Sequence, residues 1–71
     1  MNRAETLTGR IVRFTPRTLK NMANPELAKR SRGLCTRLTD EGTIAWIVWD
    51  GTYAAVWELA ANLEPEREYS L

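Results

Sequence analysis

The chain has 71 residues, of which 44% are hydrophobic and 27% charged, so it suits one small globular domain and is too apolar for a disordered segment. It contains no histidine and one cysteine, Cys35, which excludes an internal disulfide and a transition-metal site of the usual composition within one chain. No apolar run is long enough to span a membrane, and the N-terminal residues lack the apolar core of a signal peptide. We therefore expect a cytoplasmic protein.

The net charge is +1, but the two halves of the chain carry opposite charge. Residues 1–37 hold nine basic and two acidic residues, whereas residues 38–71 hold one basic and seven acidic residues. Such asymmetry is typical of proteins with a basic nucleic-acid-binding face. It is equally expected if the two halves of the chain pair with each other.

The first predicted element is a strand over residues 7–14, where apolar and polar residues alternate. Pro16 ends this strand because proline cannot donate a ladder hydrogen bond. Residues 15–32 are predicted to be helical or irregular. A short helix is expected in this segment after Asn24, which is a good N-cap and is followed by Pro25 at the first helical position.

The second half of the chain is predicted to be extended. We expect strands at 34–39, 43–49 and 52–58, a turn at 40–42, one 3₁₀ turn at 59–62 and a very short fifth strand before Pro65. Asp50-Gly51 is the strongest two-residue hairpin signal in the chain. The order of elements predicts an all-β, five-stranded SH3-like barrel with a helical insertion after the first strand and loose tails at 1–6 and 66–71. An OB-fold is the alternative, although it needs longer strands.

The hairpin around Asp50-Gly51 is predicted to have two apolar faces. A two-residue loop places Trp49 opposite Thr52, Val48 opposite Tyr53, Trp46 opposite Ala55 and Ile44 opposite Trp57. Side chains alternate along strands, so one face carries Ile44, Trp46, Val48, Tyr53, Ala55 and Trp57. The other face carries smaller and aliphatic residues (Ala45, Ile47, Thr52, Ala54, Val56), with Trp49 at its end, and suits the interior.

The aromatic face is predicted to be an interface, because monomers seldom expose so large an apolar patch. The residues assigned to it are Ile44, Trp46, Tyr53, Ala55 and Trp57. The expected partner is a second copy of the chain, in a dimer or tetramer, or another protein. Two alternatives remain open: residues 15–32 could fold over this face, or a longer turn could shift the register.

The stretch LTDEGTIAWIVWDGTYAAVWELAANLE, residues 38–64, resembles the plasmid-encoded type II dihydrofolate reductases. Those proteins have a Pro-Glu-Gly turn and the run Val-Gln-Ile-Tyr-Pro-Val-Ala-Ala-Leu-Glu, where this chain has LTDEG and AAVWELAANLE. The resemblance covers residues 33–64 and the run GRIVRF. It implies an SH3-like barrel that assembles into a tetramer around a central pore.

The resemblance does not extend to the residues that line the pore in that family. The glutamine and tyrosine of the Val-Gln-Ile-Tyr run correspond here to Ala55 and Trp57, with Val56 in place of the isoleucine. Alanine cannot make the hydrogen bonds of glutamine, and an indole cannot replace a phenol hydroxyl. A reductase of this type is thus the weakest of the functional hypotheses.

Nucleic-acid binding is the alternative to a protein-interaction module. Basic residues concentrate around the first strand and the segment after it, and phosphate contacts need such charges. The candidates are Arg13, Arg17, Lys20, Lys29, Arg30 and Arg32. A competing interpretation pairs Arg10 and Arg13 with Glu64 and Glu66, since the first and last strands of an SH3-like barrel are neighbours, and leaves Lys29, Arg30 and Arg32 free.

No pattern in the sequence indicates an enzyme, and no catalytic, cofactor-binding or metal-binding residue is assigned. Without a histidine, Cys35 has no usual activating base and is expected to be a small buried residue. The pairs Asp40-Glu41 and Glu64/Glu66 fit solvated surface better than general acid–base chemistry. The size would also suit an accessory protein of a phage or mobile element, although no residue supports that setting.

Overall fold

The computed structural model of the protein describes residues 7–66. Five strands form one antiparallel sheet: β1 (Ile11–Phe14), β2 (Gly33–Thr39), β3 (Ile44–Trp49), β4 (Val56–Leu59) and β5 (Leu63–Pro65). Two short helices, α1 (Pro16–Lys20) and α2 (Pro25–Arg30), lie between β1 and β2, and a 3₁₀ turn η1 (Ala60–Asn62) joins β4 to β5. No helix within residues 7–66 is long and apolar enough to cross a membrane. The predicted tails lie outside this range, apart from Glu66.

The strand order in the sheet is β4-β3-β2-β1-β5. The hairpins β2–β3 and β3–β4 are therefore sequential, whereas β1 pairs with both β2 and the last strand, β5. A register shift between Cys35 and Arg37 leaves Thr36 as the extra residue of a bulge in β2. This bulge lets Leu34 and Arg37 share the outer side of the sheet while Cys35 and Leu38 lie on the inner side.

The core contains side chains from most parts of the described chain. Its buried members are Leu7, Val12, Cys35, Ala45, Ile47, Ala60 and Leu63. Phe14, Leu38 and Trp49 pack against it, and the rings of Phe14 and Trp49 stack with centroids 5.0 Å apart. The predicted interior face of β3 is confirmed, since Ala45 and Ile47 are buried and Trp49 covers the end of the core.

The segment after β1 contains two short helices, of which α2 was predicted from its Asn24 cap and α1 was not. Asn24 is the N-cap of α2, where its side-chain oxygen accepts a hydrogen bond from the Leu27 N–H at 3.3 Å. Thr15 caps α1 in the same way, accepting from the Thr18 N–H at 3.2 Å. Neither helix buries a residue fully, so local capping rather than core packing holds these short elements.

Two strand starts differ from the prediction by four residues, and the other strand boundaries given there agree within one residue. β1 begins at Ile11 rather than residue 7, because Leu7 and Gly9 belong to a turn in which Gly9 has φ 80°. β4 begins at Val56 rather than residue 52, so the prediction of a two-residue hairpin loop was wrong. The predicted 3₁₀ turn and fifth strand are both present, with η1 covering Ala60–Asn62.

Candidate interaction surfaces

The register of β3 and β4 is two residues away from the predicted one. Trp46 lies opposite Trp57 and Ile44 lies opposite Leu59, whereas Ala55 and Trp57 had been predicted at these places. A shift of two residues preserves side-chain parity, so Trp57 remains on the same face as Ile44 and Trp46. The faces of the β3 residues and of Trp57 were thus predicted correctly although the pairs were wrong. Val56, predicted for the interior, is 47% exposed, and Thr52 and Ala54 lie in the loop.

Tertiary contacts explain why the Asp50-Gly51 signal did not set the register. The N–H of Ala60 donates to the Thr43 carbonyl at 2.8 Å, and the Ala60 side chain is buried. A two-residue loop would move Ala60 two positions along β3, past the end of that strand. The connection to β5 therefore overrides the local turn preference, and residues 50–55 form a longer loop.

Tyr53 and Ala55 lie in this loop and not in a strand. Tyr53 is 102% exposed, and Ala55 is also exposed. The predicted contacts of Tyr53 with Val48 and of Ala55 with Trp46 are absent from the β3–β4 register. Of the five residues assigned to the interface, the sheet brings together Ile44, Trp46 and Trp57.

We use the term outer face for the apolar residues on the side of the sheet opposite the core. Its members are Ile11, Leu34, Ile44, Trp46, Val48, Trp57 and Leu59. Four of them are strongly exposed: Trp57 by 58%, Leu59 by 43%, and Ile11 and Leu34 by 42% each. The outer face therefore spans four neighbouring strands and is wider than the predicted hairpin surface.

Sequence reasoning missed Ile11, Leu34 and Leu59. The sequence pattern places Leu59 in the 3₁₀ turn, and alternation within the hairpin gives no information on Ile11 and Leu34, which belong to other strands. The bulge at Thr36 reverses which β2 side chains face outward, so simple alternation along the sequence does not predict the face of the residues after it. In the register, Ile11 lies opposite Leu34, and Leu34 lies opposite Val48.

Trp46 lies at the centre of the outer face and has two polar contacts. The Arg37 guanidinium lies over its ring, with the guanidinium carbon 5.3 Å from the ring centroid. The indole Nε1–H donates to the Thr39 hydroxyl at 3.4 Å. These contacts come from β2, the neighbouring strand, and orient the indole on the sheet.

The helical segment, residues 15–32, does not cover the outer face. Its helices pack on each other and α2 packs on β1, while Trp57 and Leu59 at the other edge of the sheet remain exposed. Pro16 and Leu19 of α1 instead line a concavity with Phe14. The intramolecular cover that the sequence left open is therefore absent from residues 7–66.

The candidate nucleic-acid residues fall into two groups. Arg13 and Arg32 are paired: Arg13 Nε donates to Glu64 at 2.9 Å, and Arg32 Nε donates to Glu66 at 2.8 Å. The prediction that Arg13 meets Glu64 is confirmed, but the partner of Glu66 is Arg32 and not Arg10, so Arg32 is not free. The remaining candidates, Arg17, Lys20, Lys29 and Arg30, are exposed on α1 and α2.

Cys35 is fully buried, as expected for a small apolar residue. Its thiol contacts the Arg37 carbonyl at 3.7 Å, and burial raises the pKa of this thiol above its ordinary value of 9.0. A thiol that stays protonated is a poor nucleophile. Among residues 7–66, no group of three or more His, Cys, Asp or Glu residues is placed to hold a metal ion.

Comparisons with models of protein families, with curated proteins and with solved structures gave no match to this chain.

Proposed function

We propose that this protein is a non-catalytic interaction module that self-associates through the outer face of an SH3-like barrel. The barrel is supported by the strand order, in which β1 bridges β2 and β5. It is also supported by the stacking of Phe14 on Trp49, which brings the inner sides of β1 and β3 together. The 3₁₀ turn between the last two strands fits the same architecture.

The exposure of the outer face is the observation that carries the proposal. Trp57 is 58% exposed and lies beside Trp46, Ile44 and Leu59 in one apolar patch. A fully buried aromatic residue removes about 150–250 Å² from water, so covering this patch releases a substantial hydrophobic free energy. Contiguous apolar patches of this kind on small proteins usually mark interfaces.

A second copy of the chain is the partner that fits this surface. The outer face contains no acidic residue, and Arg37 lies over Trp46. Beside Ile11, the charged neighbours Arg13 and Glu66 are both held in ion pairs. Two such patches related by a two-fold axis would bring apolar side chains together, as an isologous interface requires. The resemblance to the tetrameric type II reductases also favours self-association.

We do not propose reductase activity. The positions that correspond to the glutamine and tyrosine of that family hold Ala55 and Trp57. Ala55 lies in the loop before β4 and carries no polar side-chain group. A surface of this composition suits protein contact rather than the orientation of a polar substrate.

The test is the solution mass of the protein by light scattering after gel filtration, from about 100 μM to about 1 μM. We expect an oligomer for the native chain and a monomer for Trp57→Ser, because serine removes the most exposed ring of the outer face. Tyr53→Ser is the matched control, since it removes a fully exposed aromatic ring from the loop and should leave the mass unchanged.

Circular dichroism of each variant shows whether the fold is retained. A native chain that is monomeric at the highest concentration would overturn the proposal. The same conclusion would follow if a folded Trp57→Ser variant kept the native mass.

A further inference from the structure

The helical segment and the first strand carry a second surface that shares no residue with the outer face. Arg17, Lys20, Lys29 and Arg30 are exposed on α1 and α2, and none of them forms a salt bridge within residues 7–66. These four cations lie within a span of fourteen residues, on helices that contact one another. None of these four cations belongs to the outer face.

Phe14 lines two of the concavities that open beside α1. The first, of about 260 Å³, also has Arg13, Leu19, Lys29 and Arg32 in its wall. The second, of about 370 Å³, has Arg17, Met22 and Glu58 in its wall. Phe14 stacks on Trp49, and in the first concavity its ring lies among three basic side chains and the carboxylate of Glu64. The second concavity is electrostatically balanced, so the first is the one that favours an anion.

Of the two paired arginines, Arg13 keeps more hydrogen-bond donors for a ligand, because Arg32 also donates from Nη1 to the carbonyls of Lys29 and Ser31. Arg13 uses its Nε atom for Glu64, so the terminal nitrogens of its guanidinium are left for another acceptor. Glu64 also orients that guanidinium beside the concavity lined by Phe14 and Lys29. The ion pair therefore holds the Arg13 guanidinium beside the concavity, while the Glu64 carboxylate offsets the positive charge of that guanidinium.

We propose that this surface binds single-stranded nucleic acid, with phosphates on the cations of α1 and α2 and bases against Phe14 and Leu19. Charge complementarity requires a polyanion, and the apolar walls require that the polyanion carry flat apolar groups. A duplex would offer phosphates but keep its bases stacked away from the ring. An acidic peptide would offer charge and leave the apolar walls unused.

The first test uses a fluorescein-labelled single-stranded DNA 12-mer, titrated by fluorescence anisotropy in about 50 mM and about 200 mM salt. Four phosphate contacts predict a log–log salt slope of about −3, which is about a 50-fold loss of affinity over this range. Lys29→Gln with Arg30→Gln should weaken binding by at least about tenfold and make the slope less steep by about 1.4.

The matched control is Arg10→Gln with Arg37→Gln, which removes two positive charges outside the concavities and should change the affinity less than about twofold. An abasic 12-mer keeps the phosphates without the bases and should bind clearly more weakly than the normal strand. Tight binding of the normal strand together with weak binding of polyglutamate and of a duplex would support the proposal.

Several results would overturn it: no binding in about 50 mM salt, equal loss in the two double variants, or equal binding of the abasic strand. Equal binding of polyglutamate would identify a general polyanion surface instead. Trp57→Ser changes none of these residues, so its strand binding tests this proposal independently of self-association. A folded Trp57→Ser variant that binds the strand like the native chain would support this proposal, whereas a native mass in that variant would overturn self-association alone.

Discussion

Gly33 is required for space and not for an unusual backbone conformation. It begins β2 between β1 and β3, and its φ lies outside the left-handed region. A Cβ atom added here would lie 2.5 Å from Ile47 Cγ2 and 2.9 Å from Trp49 Cε3. Because Ile47 is buried and Trp49 stacks on Phe14, neither side chain can move without disturbing the core.

We expect Gly33→Ala to lower the free energy of unfolding by about 1–3 kcal/mol, the usual cost of overpacking a core. Urea denaturation followed by tryptophan fluorescence measures this change. Thr36→Ser, in the same strand at an exposed position, should stay within about 0.5 kcal/mol of the native chain. An unchanged midpoint for Gly33→Ala would mean that the sheet accommodates the extra methyl group.

Cys35 couples the stability of the fold to alkaline pH. Burial raises the pKa of its thiol above 9.0, so above that pH the unfolded chain loses a proton that the folded chain retains. The folded state then binds more protons than the unfolded state, and the free energy of unfolding falls as the pH rises. Below pH 9.0 both states keep the proton, and this contribution to stability is complete.

We therefore expect the urea midpoint of the native chain to fall between pH 8 and pH 10 by more than that of Cys35→Ala. The comparison with Cys35→Ala removes the contributions of other groups that titrate in this range. Ellman's reagent should react with the thiol in urea and only slowly in the folded protein, because the thiol is buried. Parallel pH profiles for the two proteins would contradict the expectation.

The β3–β4 hairpin is the element where local signals and tertiary contacts disagree. The Asp50-Gly51 pair favours a two-residue loop, whereas the Ala60–Thr43 hydrogen bond and the burial of Leu63 fix where β4 must end. The chain keeps the position of the end of β4, and residues 50–55 form a loop instead of a two-residue turn. A loop of this length gives Tyr53 no neighbour on the sheet.

Deleting Ala54 and Ala55 should reconcile the two requirements. The observed Trp46–Trp57 and Ile47–Val56 pairs would then extend to a two-residue Asp50-Gly51 loop, with Tyr53 opposite Val48. We expect the free energy of unfolding to stay the same or rise. Cross-strand nuclear Overhauser effects between Tyr53 and Val48 would report the new pair, and a loss of stability would show that the native loop has a structural role.

The hairpin also shows what the sequence could and could not predict. Strand identity and face parity followed from alternation and from turn residues, which are local properties. The register depended on tertiary contacts of Ala60 and Leu63, which lie outside the hairpin. The breadth of the outer face depended on residues of strands β1 and β2. The Asn24 cap was predictable because its partner, the Leu27 N–H, lies three residues away, whereas nothing local linked Arg32 to Glu66.

At the scale of the whole molecule, the charge asymmetry is only partly neutralised within the chain. Arg13–Glu64 and Arg32–Glu66 join the basic half to the acidic half. The exposed cations on α1 and α2 stay on one part of the surface, and Asp40, Glu41 and Asp50 are exposed in the β2–β3 and β3–β4 connections. Such a dipolar molecule has a second route to self-association, in which the basic part of one copy meets the acidic part of another.

Salt separates the two routes, because screening weakens attraction between exposed charges and leaves apolar contact almost unchanged. For association through the outer face, we expect the dissociation constant from sedimentation equilibrium to change less than about threefold between about 50 mM and about 500 mM NaCl. Association through the charged parts would weaken steeply over the same range and would persist in Trp57→Ser. That outcome would remove the outer face as the interface and leave its apolar patch for a different partner.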